Sequence, residues 1–429
     1  MTFPEKDLKY IWHPYTHQKN MVSPLMIASG KGSLLIDDNG NEYIDAISSW
    51  WVNVHGHSHP YIAKKIYDQA RILEQVIFAG FTHKPAVRLA EKLLRRLPKN
   101  FAKIFYSDNG STAVEVAIKM ALQYSVNNGQ LKKNIIAFKD SYHGDTFGAM
   151  SASYRSIFTK AFDDKLFDVV FIDKPSKGNI HKIKQQITPF KNNIACFIYE
   201  PLVQGAGGMK MFDPEAFDEL LAFMKQEQII CIADEVMTGF CRTGKMFASE
   251  YMTTSPDIIC LSKGLTGGTM ALGVTGCTQA IYDAFVSDEP SKTFYHGHSF
   301  TANPIACTAA LASLKLLERK KCRKKIERIL VQNKKFAERL RKSSYHRKIK
   351  NIRETGTIVA FEVITEQGDS YLNEIRDTFT PYCLKHGVYL RPLGNTVYIM
   401  PPYCIKKAEL KKVYEVIELF LNETGTIPT

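Results

Sequence analysis

Hydrophobic and polar positions change period along this chain, and the changes mark out its elements. Ser33 to Ile47, SLLIDDNGNEYIDAI, sets two strand-like runs around Asp38-Asn39-Gly40-Asn41, the pattern of a hairpin. From about Tyr61, helical spacing alternates with short apolar runs. A helix is predicted around Ala86 to Leu97, a strand over Ala102 to Ser107, and then a loop running into a helix within Ser107 to Tyr124. Further strands are predicted at Asn134 to Phe138, Ile194 to Tyr199, Gln228 to Glu235 and Ile258 to Leu261. Runs this short, closed by turn residues, fit strands buried on both faces, as in a parallel sheet covered by helices. After the loop Phe294 to Cys307 comes an alanine-rich helix. Strand patterns at Gly356 to Val363, Val388 to Leu390 and Thr396 to Met400 then read as a smaller α+β unit. The fold class is α/β, and 429 residues leave room for two domains.

The polar residues that matter stand where these strands stop. Ile258 to Leu261 gives way to Ser262-Lys263-Gly264, so Lys263 lies beside apolar surface. Desolvation disfavours an ammonium, lowers its pKa and leaves an amine able to attack a carbonyl. An ordinary loop lysine is the plain alternative for S-K-G alone. The strand before it, QIICIADE, ends in Asp234, about thirty residues upstream. A lysine and an aspartate at two buried strand ends suggest a pyridoxal-phosphate site, with the lysine bonded to the cofactor and the aspartate on its pyridine nitrogen. Gly110-Ser111-Thr112 opens a helix, where free N–H groups attract an anion, although Ser or Thr there also serves as a plain cap. Tyr142 follows another strand and can stack on a planar ring; Glu200 ends a further one. Open α/β sheets bind ligands at this edge.

Charge changes the picture little. The net charge is +13, and Arg319 to Arg353 holds sixteen Lys and Arg against Glu327 and Glu338. Ile326, Ile329, Leu330, Phe336, Ala337 and Leu340 recur there at helical spacing, so the segment reads as an amphipathic helix with a solvated basic face, not a nucleic-acid arm. Nine cysteines without paired spacing predict reduced, cytoplasmic thiols, not a disulfide or zinc framework. No secretory signal or membrane-length apolar run is read. His55, His57 and His59 alternate without a completing ligand set, so no metal is expected. Trp50-Trp51 is either core packing or the wall of a pocket.

Several segments together resemble one family. IWHPYT, SSWW, THKPA, GSTAVEVAIKMALQY, YHGDTFGAMS, EPLVQGAGGM, CRTGKMFA, PDIICLSKGLTGGTMAL and RPLGNTVYIMPPY run from Trp12 to about Tyr403. They are similar to the class III, fold-type-I pyridoxal-phosphate aminotransferases. The resemblance implies a large, mostly parallel α/β domain over residues 50–310 and a smaller α+β domain from 1–49 and 311–429. It implies Lys263, Asp234 and Tyr142 as catalytic residues. Gly110 and Ser111 would hold the phosphate, completed by His298 and Ser299 from the partner of a homodimer with shared active sites. Tyr15, Trp50, Tyr142, Lys263, Gly297 and Arg391 would meet substrate, with Arg242 near the same pocket. The family usually has proline and threonine where this chain has His298 and Ser299. SSWW, TGGTM and RPLG…MPPY narrow the implied acceptor to 8-amino-7-oxononanoate, aminated to 7,8-diaminononanoate in biotin synthesis. The implied donor is S-adenosylmethionine, with lysine as the alternative and another class III ω-amino-acid transamination as the rival activity.

Overall fold

Seven strands make the central sheet: β1 (Phe101–Ser107), β2 (Asn134–Phe138), β3 (Val169–Ile172), β4 (Ile194–Tyr199), β5 (Ile230–Asp234), β6 (Ile258–Leu261) and β7 (Gly273–Thr278). The structure is a computed structural model and describes residues 1–369 and 371–423. The spatial order is β1-β7-β6-β5-β4-β2-β3, and β7 alone runs against its neighbours. Every residue of β4, β5, β6 and β7 is buried, which is why these runs carry no polar alternation. The helix Gly110–Asn127 lies on this sheet through Ala113, Val114, Val116 and Ala117, small and branched side chains that let the backbones approach. Thr275 on β7 donates to the Ala113 carbonyl at 2.8 Å. At Gly273 any side chain would stand 2.2 Å from the Asn109 carbonyl oxygen, so glycine there lets the helix start sit on the strand.

The chain ends build outward from this sheet. The predicted hairpin pairs Leu34–Asp37 with Glu42–Asp45, and Asp37 accepts from the Asn39 and Asn41 N–H groups across the turn. Residues Val388–Tyr389 add to it in parallel, Val388 opposite Ile44, so segments 344 residues apart share one sheet. A second antiparallel sheet joins Ile349–Thr355, Ile358–Val363 and Thr396–Ile399. The basic segment read as one helix therefore divides. Its helix is Lys320–Lys342, with Ile326, Ile329, Phe336, Ala337 and Leu340 buried, and its last residues form the strand Ile349–Thr355. Ser343 starts a new turn by accepting from Tyr345 N–H, and pairing with Ile358–Val363 then outweighs the helical spacing. The three histidines are separate structural groups: His55 bonds Ser313, His57 bonds Asp45, and His59 caps the helix Pro60–Ala70. Among the described residues the nine cysteines are free, no helix is long and apolar enough to cross a membrane, and no His, Cys, Asp and Glu cluster forms a metal site.

One buried carboxylate fixes the loop that leaves β5. Glu235 accepts from Thr238 Oγ1 (2.7 Å), Ala248 N–H (3.0 Å), Ser249 N–H (2.6 Å) and Ser249 Oγ (2.8 Å). Burial pushes its pKa up, and these four donors work against that rise. Because two of the donors are buried backbone groups, Glu235→Ala is expected to cost about 2–4 kcal/mol of stability. A urea unfolding midpoint equal to the parent's would show that the loop finds other acceptors.

Candidate active site

The parallel strands end on one side of the sheet, and a cavity of about 800 Å³ opens there. Asp234, the last residue of β5, is buried; its Oδ1 accepts from Val236 N–H at 3.1 Å, and its Oδ2 lies 2.7 Å from His143 Nδ1. The other ring nitrogen of His143 is buried without a partner. Lys263 follows β6, the neighbouring parallel strand, in a left-handed backbone conformation (φ 42°). Its amine is 4.5 Å from the centre of the Trp51 ring, and no oxygen among the described residues accepts from it. Burial lowers its pKa to about 8, against the opposing pull of the Asp234 and Glu200 carboxylates.

Glu200, just after β4, lines the same cavity. Its carboxylate takes the N–H groups of Tyr142 (3.2 Å) and Gly205 (2.7 Å). Burial raises its pKa to about 7; His143 and these two N–H groups pull it down, and Asp234 adds to the rise. A second helper is Glu115, whose Oε1 accepts from Gly148 N–H (2.7 Å) and Ala149 N–H (3.0 Å) and so holds the following turn against the helix start. Ser111 Oγ meets Thr146 Oγ1 at 2.8 Å. Gly144 (φ 134°) passes so close that a side chain there would stand 2.2 Å from Ser111 Oγ. Asn109 caps the helix by accepting from Thr112 N–H. That leaves the N–H groups of Gly110 and Ser111, which line the cavity, without an acceptor in their own helix.

Aromatic side chains form the outer wall. Tyr15 O–H donates to Asp145 at 2.6 Å and lies 3.3 Å from the Tyr142 hydroxyl. Its ring meets the Trp50 and Phe158 rings edge-on at 5.5 and 5.6 Å, and Phe158 meets Tyr371 at 4.4 Å. Trp50 is half exposed, whereas Trp51 is buried with its N–H on Tyr398 O–H at 2.9 Å. The pair is thus both core and wall. Arg391 stands behind Trp50, 5.7 Å from its ring, and donates to the Tyr15 carbonyl at 3.4 Å.

The structure brings Lys263, Asp234, Tyr142, Gly110, Ser111, Tyr15 and Trp50 into one cavity. Arg391 flanks it without lining it. Arg242 is fully buried behind it, donating to the Trp51 and Pro401 carbonyls at 3.0 Å. Gly297, His298 and Ser299 lie on a loop outside the cavity of their own chain. Sequence reasoning gave no role to His143, Asp145, Glu200, Phe158 or Tyr371. A carboxylate closing an all-apolar strand was the signal available for Glu200; Phe158 and Tyr371 carried none.

These residues fit pyridoxal phosphate. An unpartnered amine and a carboxylate stand on adjacent strand ends, and a helix start with open N–H groups suits its phosphate. The family model for class III aminotransferases matches residues 15–421. A relative from Synechococcus elongatus, named adenosylmethionine-8-amino-7-oxononanoate aminotransferase, is 45% identical over 96% of this chain and 99% of its own length. The crystal structure of the enzyme of that name from Methanocaldococcus jannaschii superposes with a TM-score of 0.91 at 35% identity, covering 97% of this chain and 98% of its own. A PLP-bound amine transaminase from an uncultivated Pseudomonas species gives 0.90 at 27% identity, covering 97% and 99%. The chain belongs to the class III aminotransferases, enzymes of the α/β fold-type-I class whose cofactor is pyridoxal phosphate.

Proposed function

We propose that this protein transfers an amino group from S-adenosylmethionine to 8-amino-7-oxononanoate, giving 7,8-diaminononanoate in biotin synthesis. The observation that carries the reading is the pairing of Lys263 and Asp234 on adjacent strand ends, inside a cavity walled by Trp51, Trp50, Tyr15 and Tyr142. The names of the Synechococcus and Methanocaldococcus relatives point to the same two substrates. An acceptor with one carboxylate on an apolar chain suits aromatic walls and one arginine, Arg391. A donor bearing a sulfonium suits ring faces, which attract cations. Asp145, which accepts from Tyr15, also lines the cavity, so its charge would add to the pull of the ring faces on that cation.

Pyridoxal phosphate, when bound, supplies a carbonyl for the donor amine and a ring that accepts electrons from the carbon losing its proton. Lys263 would anchor it, and its amine, with a lowered pKa, would serve as the base that moves a proton. Asp234, oriented by His143, holds a proton on the pyridine nitrogen. Gly110 and Ser111 bind the phosphate through their N–H groups, and Tyr142 covers the ring. Gly297 and Ser299, exposed in one chain, and the half-buried His298 between them reach the cavity of a second copy in a homodimer. Residues 50–310 form the large domain, with 1–49 and the described part of 311–429 as the small one; 424–429 lie outside the described residues. Nine free cysteines support a reducing, cytoplasmic setting.

Asp234→Asn should fold and bind cofactor yet lose about 3–5 kcal/mol of transition-state stabilisation, a rate loss of roughly a hundred-fold to several thousand-fold. A rate near the parent's removes Asp234 from this role. With a pKa near 8, the Lys263 amine is neutral from about pH 8 upward, not only above the ordinary lysine range. Acylation of Lys263 in cofactor-free protein, followed by mass spectrometry, should reach half its maximal rate near pH 8. A midpoint above 10 would mean that the amine is solvated.

Single-turnover mixing tests the function itself. S-adenosylmethionine alone should convert the cofactor to its amine form, lysine should not, and added 8-amino-7-oxononanoate should then yield 7,8-diaminononanoate. Arg391→Ala should slow that second half-reaction through a loss of about 2–5 kcal/mol, leaving the first much less affected. Equal losses in both would mean that Arg391 serves both substrates or only the fold.

A further inference from the structure

The turn that carries Trp50 and Trp51 has a backbone that its sequence does not favour. Ser48, Ser49 and Trp51 have φ of 55°, 59° and 68°, and Ser49 combines its φ with a ψ of −101°. None is glycine, so each occupies a region that is costly for an L-residue and persists only where its surroundings enforce it.

The enforcing group is Asp45. It is fully buried and does not line the cavity. Its Oδ1 accepts from the N–H groups of Ser49 (2.9 Å) and Ile47 (3.3 Å), and its Oδ2 accepts from Ser49 Oγ (3.1 Å) and His57 Nε2 (2.9 Å). Asn53 Nδ2 donates back to Ser49 Oγ at 2.9 Å. The two ends of the turn are pinned separately, through Ser48 Oγ on the Met400 carbonyl (2.8 Å) and Trp51 Nε1 on Tyr398. Two of the carboxylate's four bonds thus go to Ser49, the residue one position before the indole that faces Tyr15 and Arg391.

We propose that Asp45, oriented by His57, is a positioning residue that holds Ser49 of the Ser48–Trp51 turn at positive φ and thereby sets the indole wall against which the acceptor's apolar chain lies. The assignment rests on reading that wall as part of the substrate site. It concerns recognition of the acceptor, not the handling of its proton.

Asp45→Asn tests it, because the amide keeps the volume but turns one accepting oxygen into a donor facing Ser49 and His57. The chain has three tryptophans, Trp12, Trp50 and Trp51, so the near-ultraviolet circular dichroism of substrate-free holoenzyme reads the turn directly. The expected result is a reduced tryptophan band, an acceptor KM raised about ten-fold, a kcat within about three-fold and unchanged cofactor content. Adding Ser49→Gly should restore at least half of the band and of the KM shift, since glycine takes a positive φ without strain. A band and KM equal to the parent's overturn the proposal. So do losses of kcat and cofactor content that the glycine leaves unrelieved, which would make Asp45 an ordinary core residue. If Asp45→Asn does not fold, Ser49→Ala, which removes only the hydroxyl's bonds, should raise KM about three-fold with the same spectral change, and its absence overturns the proposal. A parent enzyme inactive on the acceptor would refute the proposed reaction, while the band and its glycine rescue would still decide the role of Asp45.

Discussion

A sheet buried on both faces has no room for charge along its strands, and this constraint organises the molecule. Every side chain of the four central strands is sealed from water, so ionisable groups can stand only where the strands stop. Parallel strands stop on the same side. Asp234, Glu200 and Lys263 are therefore gathered at one edge, where both carboxylates work against the fall in the Lys263 pKa and Asp234 adds to the rise in that of Glu200. The helix Gly110–Asn127 starts at that edge for the same reason, since it follows β1 across the sheet. Its open N–H groups face the place where the carboxylates and the amine converge.

Such a cluster needs fixed geometry, and buried hydrogen bonds supply it. Glu200 and Glu115 each take two backbone N–H groups, one from the loop bearing Tyr142 and one pair from the turn behind Ser111. Glu235, next to Asp234 in sequence, takes four donors and serves the loop beneath. Adjacent acids thus divide the work: Asp234 faces the cavity with one oxygen on His143 and the other on Val236 N–H, while Glu235 is saturated by the scaffold. The outer wall is held from the chain termini. Tyr398 and Met400 pin the tryptophan turn, and Arg242 donates to its last carbonyl, so cavity shape depends on segments far apart in sequence.

By itself the sequence determined the α/β class, the strands that end in Asp234 and Lys263, the hairpin at 38–41 and the motifs that mark the family. These are local: an apolar run of four to eight residues fixes a buried strand, and the residue after it is then at a strand end whatever the rest of the chain does. What tertiary structure alone decided is which ends meet. His143 reaches Asp234 from 91 residues away, and Tyr15 reaches Asp145 from 130. No period in the sequence encodes those contacts. The basic segment divided into helix and strand because pairing with Ile358–Val363 is a long-range gain that helical spacing does not register. The left-handed turn at Ser48–Trp51 was equally silent, because nothing in S-S-W-W announces a positive φ. It exists because a buried carboxylate and two distant carbonyl and hydroxyl partners hold it, and those become neighbours only when the chain has folded.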